Sequence, residues 1–224
     1  LEDLIARRVS GEPLAYLTNR QRFMGLDLLA GPQALIPRRE TELLGHAVVN
    51  KLKSLADEHA DVAAIDVCTG CGNLALAMAH YEPRAMVYGA DLSEDAIGLA
   101  QRNVHFLGLQ DRVQFRCGDL LGPFNEQAFY GRVDLLVCNP PYISSGKLET
   151  LPSEIIAYEP RLAFDGGPFG VRGYPTGEAT GDAGQVATLE LRHAVPVALG
   201  VLQPFAFADA GRVTVNRNAF AAGA

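Results

Sequence analysis

The stretch Ala64-Ile65-Asp66-Val67-Cys68-Thr69-Gly70-Cys71-Gly72-Asn73 decides how the chain is read. A short apolar strand, Val62–Val67, runs into a glycine-rich turn, and a helix follows from about Asn73 to His80. Glycines at such a turn let the backbone bend sharply and bring a ligand close to main-chain N–H groups. Outward from this unit the pattern repeats. Ala85–Ala90 reads as a second strand ending at Asp91, and Ser93 caps the next helix with Glu94 and Asp95 in its first turn. Arg112–Arg116 and Val133–Cys138 read as a third and fourth strand. Strands alternating with helices predict an α/β fold: a doubly wound, mostly parallel, Rossmann-like sheet covered on both faces. Ligands are expected beyond the carboxyl ends of its strands.

Upstream, residues 1–9 read as the end of a helix, with Leu1, Leu4, Ile5 and Val9 on one face. Residues 21–37, around Gly25 and the Gly31-Pro32 turn, suggest a β-hairpin. Glu40–Leu55 predicts an amphipathic helix with Leu43, Leu44, Ala47, Val48 and Leu52 inward. Downstream, 173–185 is loop-like in composition, and Gln185–Arg192 and Arg212–Arg217 are strand candidates.

The 224 residues carry 19 Lys and Arg against 26 Asp and Glu, a formal charge of −7, which argues against a broad phosphate-backbone footprint. Direct nucleic-acid binding is therefore not expected. The most apolar stretch, Ala194–Ala208, is broken by Pro196, Gln203 and Pro204 and makes a poor membrane span. Four cysteines with no dense framework fit a reducing compartment, so a cytoplasmic protein without membrane attachment is the expectation, and a monomer. Cys68-x-x-Cys71 admits a redox pair or half a zinc site, but the other two cysteines lack close spacing and the five histidines are scattered. No metal is expected.

Asp91 stands 21 residues after Gly70, where a carboxylate can accept both hydroxyls of a ribose. The glycine spacing departs from G-x-G-x-x-G, and Asp66 before the turn suits a cationic ligand better than a pyrophosphate. S-adenosylmethionine, with a sulfonium and an amino-acid end, fits. Asp119 after the third strand is placed to take an adenine amino group, with Leu120 packing on the ring. Each of these residues also has a plain structural reading, as a cap or as core. After the fourth strand comes Asn139-Pro140-Pro141-Tyr142. Two prolines fix the backbone and remove two N–H donors, leaving carbonyls as acceptors beside the Asn oxygen and a flat Tyr face. Such a set holds a planar –NH₂ through both hydrogens and stabilises positive charge as that nitrogen is alkylated.

Together these motifs resemble the HemK-type protein-(glutamine-N5) methyltransferases, class I S-adenosylmethionine-dependent enzymes that modify peptide-chain release factors. The resemblance runs over roughly residues 4–170. It includes Arg7-Arg8, Gly11-Glu12-Pro13-Leu14-Ala15-Tyr16, Leu35-Ile36-Pro37-Arg38-Arg39-Glu40-Thr41-Glu42 and Tyr158-Glu159-Pro160-Arg161-Leu162-Ala163 before Gly166-Gly167. The Ile-Pro-Arg-x-Glu-Thr-Glu element sets this family apart from DNA adenine methyltransferases, which share Asn-Pro-Pro-Tyr. The resemblance implies a cofactor site at Asp66, Cys68, Thr69, Gly70, Cys71, Gly72, Asp91, Asp119, Leu120 and Asn139. It implies substrate binding by Asn139, Pro140, Pro141 and Tyr142, with Asn139, Pro140 and Tyr142 catalytic. The implied reaction methylates the glutamine amide nitrogen of a release-factor Gly-Gly-Gln loop and leaves S-adenosylhomocysteine, a step in the maintenance of translation termination.

By the same resemblance, residues 1–39 are a remnant of an N-terminal helical domain with its hairpin linker, and 40–224 the methyltransferase domain, divergent over 173–224. The family's usual Gly, Pro and Ser or Thr are replaced by Asn19, Arg39 and Cys71, and Asn19 suits a positive φ. After about Val171 the likeness weakens, and the usual Pro-Gly-Gly before the next strand is missing. The alternatives are a methyltransferase for another amide or amine, such as a ribosomal-protein glutamine or an adenine base, and a non-catalytic cofactor-binding module.

Overall fold

The computed structural model describes residues 1–58, 61–143 and 145–166, together with the backbone of strands within 183–214. The chain divides into two units, Leu1–Val171 and Arg172–Ala224. The first holds helices α1 (Glu2–Val9), α2 (Leu14–Thr18), α3 (Thr41–Glu58), α4 (Asn73–Tyr81), α5 (Glu94–Leu107), α6 (Ser145–Leu148) and α7 (Ser153–Tyr158). Its strands are β1 (Arg20–Phe23), β2 (Leu26–Leu29), β3 (Val62–Val67), β4 (Ala85–Asp91), β5 (Val113–Cys117) and β6 (Leu135–Cys138). The four later strands form one parallel sheet in the order β5-β4-β3-β6, so the order reverses between β3 and β6. Such a switch point opens the crevice where ligands of open α/β sheets bind.

Alternate residues of the central strands serve two different cores. Val62, Ala64, Ala85, Val87, Val113, Phe115 and Val137 pack under α3, α4 and α5. Ile65, Val67 and Ala90 face the other way, toward Phe124, with Tyr88 and Phe129 beside them. Tyr88, Phe124 and Phe129 meet edge-on, with centroids 4.9 to 6.3 Å apart. Among the described residues, helices cover only the first face. Between β5 and β6 the chain makes a short 3-10 turn at Gly122–Phe124, with Pro123 in its first turn, rather than an α-helix.

The hairpin is tighter than expected from the sequence. It turns at Met24-Gly25, both at positive φ (47° and 82°), as a two-residue loop of right-twisted strands requires. Gly31-Pro32 lies beyond it. The inner face of α3 also differs. Leu43 is 76% exposed and Ala47 is exposed, whereas Gly45, Val48, Val49, Leu52 and Ala56 are buried. The cause is Gly45: a Cβ there would lie 2.2 Å from the Met24 sulfur, so this helix turns its bare backbone to the hairpin. Helix α1 forms as predicted, and its apolar face is exposed. Asn19 caps α2 at φ 54°, the left-handed position the sequence predicted it would fill.

Asn103, fully buried on α5, joins three elements. Its Oδ1 accepts from Leu29 N (2.6 Å), and its Nδ2 donates to Leu29 O (3.2 Å) and Cys71 O (3.1 Å). This amide satisfies backbone groups of β2 and of the glycine turn that have no ladder partner.

In the second unit, β7 (Ala183–Arg192) pairs antiparallel with β10 (Phe205–Thr214), and β8 (Val195–Val197) with β9 (Gly200–Leu202). Strand β7 contains the predicted Gln185–Arg192. The predicted Arg212–Arg217 overlaps the end of β10, and its last residues lie outside the described ones, as does most of the 173–185 stretch.

Candidate active site

The glycine turn is held from below and from the side. Asp66, the penultimate residue of β3, is buried. Its Oδ2 accepts from the Thr69 hydroxyl (2.6 Å) and from Ala75 N (3.2 Å), the first turn of α4. Burial raises its carboxyl to about 7, against these two hydrogen bonds and with help from nearby Asp91. Its Oδ1 is buried without a partner among the described residues. Asp66 therefore braces the turn from beneath and does not line the cavity above it. Gly70 and Gly72 stand at φ 56° and 86°, and a Cβ on Gly72 would come within 2.7 Å of the Phe115 ring.

Asp91 closes the turn from the side. Its Oδ2 accepts from Gly70 N (2.8 Å) and its Oδ1 from Ser93 N (3.0 Å), so both oxygens are fixed while lone pairs remain for a ligand. The Ser93 hydroxyl accepts from Ala96 N, the cap the sequence predicted. Two non-glycine residues at this crevice sit at positive φ, Cys68 at 59° and Leu120 at 45°. Such strain persists where surrounding structure over-determines the backbone, and it clusters at ligand sites.

A cavity of about 330 Å³ lies over these strand ends. Of the residues named from sequence, Cys68, Thr69, Gly70, Asp91, Asp119, Leu120, Asn139, Pro140 and Pro141 line it. Asp66, Cys71, Gly72 and Tyr142 do not. Cys71 is buried beneath the turn, and burial pushes its thiol up to about 12. Tyr142 is half exposed beyond the rim. The Asn139 side chain is partly exposed and makes no hydrogen bond among the described residues.

A second hollow of about 520 Å³ lies against the opposite sheet face, by Ile65, Phe124, Phe129 and Leu136, with no carboxylate, imidazole or cation on its wall. The polar chemistry is confined to the first. Cys68 pairs with Cys138 across adjacent strand ends rather than with Cys71. A hydrogen bond between the two thiols raises Cys68, with burial adding to it, and lowers Cys138.

Two walls went unassigned in the sequence. Gln33, Leu35, Pro37, Arg38 and Thr41 form one, and Pro160, Leu162, Ala163 and Gly166 another. Both belong to motifs quoted above, but no periodicity announces that segments more than 120 residues apart meet there.

A parallel sheet with a glycine turn after one strand, a carboxylate ending the next, and Asn-Pro-Pro-Tyr leaving a third is the arrangement of the class I methyltransferase fold. Residues 46–170 match the family model described as "Methyltransferase small domain", and the chain belongs to that family. Three curated relatives carry the name "Release factor glutamine methyltransferase". The protein from Moorella thermoacetica is 45% identical over 170 residues, covering 76% of this chain and 57% of its own length. That from Geobacter sulfurreducens is 41% identical over 171 residues (76% and 56%), and that from Chlorobaculum tepidum 40% over 158 residues (70% and 54%). The chain spans a little over half the length of these relatives. Among solved structures, a human methyltransferase 10 domain containing protein is 20% identical, with 66% and 65% of the two chains covered and a TM-score of 0.46.

Proposed function

We propose that this chain transfers a methyl group from S-adenosylmethionine to the side-chain amide nitrogen of a glutamine, in the Gly-Gly-Gln loop of a peptide-chain release factor. The observation that carries the reading is Asn139: its side-chain amide makes no hydrogen bond among the described residues and stands at the rim of a cavity whose far end is a nucleotide-type site. The relatives' name supplies the acceptor class.

The residues present fit the cofactor. The cavity volume lies in the range of small-molecule sites. Asp91 offers acceptors for ribose hydroxyls, Asp119 one for an exocyclic amine, and Leu92 and Leu120 apolar walls for a flat ring. The carboxylates of Asp91 and Asp119 on the cavity wall favour a cationic ligand. When bound, S-adenosylmethionine supplies an electrophilic methyl on a sulfonium.

An amide nitrogen is a poor nucleophile because its lone pair is delocalised into the carbonyl. The Asn139 oxygen and the carbonyl before Pro140 accept the two amide hydrogens and orient the nitrogen. Acceptors so placed gain strength as positive charge develops there, which is where stabilisation lowers the barrier. Alignment of the two reactants supplies much of the rest. No strong base is required, since the nitrogen becomes acidic as it is alkylated.

The test is an acceptor panel: the protein with methyl-labelled S-adenosylmethionine and a release factor, its Gln→Ala variant, ribosomal protein, or DNA. Label on the wild-type release factor alone is the expected result. Label on ribosomal protein or DNA instead refutes the assigned acceptor, and label on none, with cofactor binding retained, refutes catalysis.

A further inference from the structure

Glu159 contributes one of the few buried charges in the described residues, and the chemistry above makes no use of it. Its side chain is 2% exposed. Oε2 accepts from Ile36 N (3.0 Å), and Oε1 takes the Arg38 guanidinium in a short ion pair. Both partners belong to the irregular loop between β2 and α3, whose residues Leu35, Pro37 and Arg38 wall the cavity. An irregular loop has no ladder to hold it, so its position depends on side-chain acceptors. A buried carboxylate is tolerated only when its oxygens are fully used, and here each has its donor.

Glu159 is also tied to the other side of the site. Pro160 follows it directly and lines the cavity with Leu162 and Ala163. Phe164 O then accepts from Ile143 N (3.0 Å), and Ile143 O accepts from Gly166 N (2.8 Å), a parallel bridge between Ile143 and Asp165. Ile143 follows Tyr142. A satellite core of Ala15, Tyr16, Ala30 and Ile36, with Tyr158 against it, packs beside this junction. One carboxylate thus joins the wall at Leu35–Arg38 to the segment that backs Asn139–Tyr142.

We infer that Glu159 is a positioning residue for the acceptor amide. By fixing the loop wall to the strand bridge at Ile143, it sets the aim of Asn139-Pro140-Pro141-Tyr142 without touching either reactant. The inference rests on the proposed glutamine acceptor for its kinetic readout and on the geometry alone for its physical one. Asp91 bonds to Gly70 and Ser93, and among the described residues neither Gly70 nor Asp91 bonds to Glu159, Ile36 or Arg38.

Glu159→Gln keeps the shape and one acceptor for Ile36 N–H but loses the ion pair. Its kcat/KM for the release factor is expected to fall about 10- to 30-fold, mostly in kcat, since small misplacements of reacting groups carry losses of about this order. Affinity for S-adenosylhomocysteine, read by calorimetry, should stay within about threefold by the same separation of groups. Glu159→Ala should lose more in transfer. In both variants, amide exchange at Ile36 and Ile143 should quicken together while β3 and β4 amides keep their wild-type rates.

Equal losses of transfer and cofactor affinity overturn the inference, as does unchanged transfer, or an Ile143 amide that exchanges as in wild type. Should the unaltered protein label no acceptor glutamine, the functional reading fails by itself. The exchange data then decide the positional claim: joint quickening of Ile36 and Ile143 supports it, and an unmoved Ile143 refutes it.

Discussion

The ends of β3 and β6 are neighbours in the sheet, with Val67 paired to Cys138, yet they are built in opposite ways. Beyond β3, Thr69, Gly70 and Ala75 are each bonded to Asp66 or Asp91, and Asp66, Thr69 and Cys71 are buried. Beyond β6, Asn139 and Tyr142 are free of side-chain hydrogen bonds among the described residues, and Tyr142 is 55% exposed. A preformed, internally satisfied turn suits a small ligand that must be bound in one pose. Unspent polar groups on a backbone stiffened by two prolines suit a reacting group delivered by a second macromolecule. On the proposed reading the two ends divide the work: one holds the cofactor, the other receives the acceptor.

Substitutions that strike one end and spare the other test that division. The largest expected effect is from Asn139→Ala. Loss of an acceptor aimed at developing charge should slow transfer about 100- to 1,000-fold. Cofactor affinity measured in parallel should stay within about threefold, because among the described residues the Asn139 side chain makes no bond to Asp91 or the glycine turn. Asp91→Ala should weaken S-adenosylhomocysteine binding about 30- to 100-fold, the scale of about 2–3 kcal/mol for hydrogen bonds to a charged group. Equilibrium titration checks it.

Asn103→Ala addresses the support of the cofactor end. It strands Leu29 N–H and two carbonyls, and should reduce unfolding free energy by about 2–3 kcal/mol in denaturant melts. The smallest effect is pH-dependent. Asp66 is raised to about 7 in the folded chain, so folding favours its protonated form. Its contribution to stability is full below about pH 4, the ordinary carboxyl range, and is lost as pH rises toward 7. Asp66→Asn removes that dependence. The melting temperature of the variant minus that of wild type should therefore rise between pH 5 and pH 8, and a flat difference would mean that Asp66 titrates normally.

The two ends also differed in how well the sequence foretold them. Asp91, Gly70 and Asn139 reach the cavity as their spacing predicted, because strand alternation and glycine turns are local features with a fixed geometric outcome. Asp66 was expected to face the ligand and instead lies under the turn. Spacing places a residue at a strand end but does not say which side of the pleat it takes. The face of α3 was misjudged for a related reason: Gly45 contributes nothing to an apolar pattern, yet its lack of a side chain is what sets the helix against Met24. Glu159 is quoted only as part of a motif, with no role, and Asn103 is not named from the sequence. Asn103 bonds Leu29 and Cys71, 74 and 32 residues away, and Glu159 bonds Ile36, 123 away, and no local pattern encodes such contacts.

The division of labour is tested most directly by titrating two ligands, one at a time, into Asp91→Ala and Asn139→Ala. One ligand is S-adenosylhomocysteine; the other is a release factor bearing its Gly-Gly-Gln loop. Asp91→Ala should lose affinity for the first and keep it for the second, and Asn139→Ala the reverse. If either variant loses both ligands to the same extent, the two strand ends form one undivided site and the account is wrong.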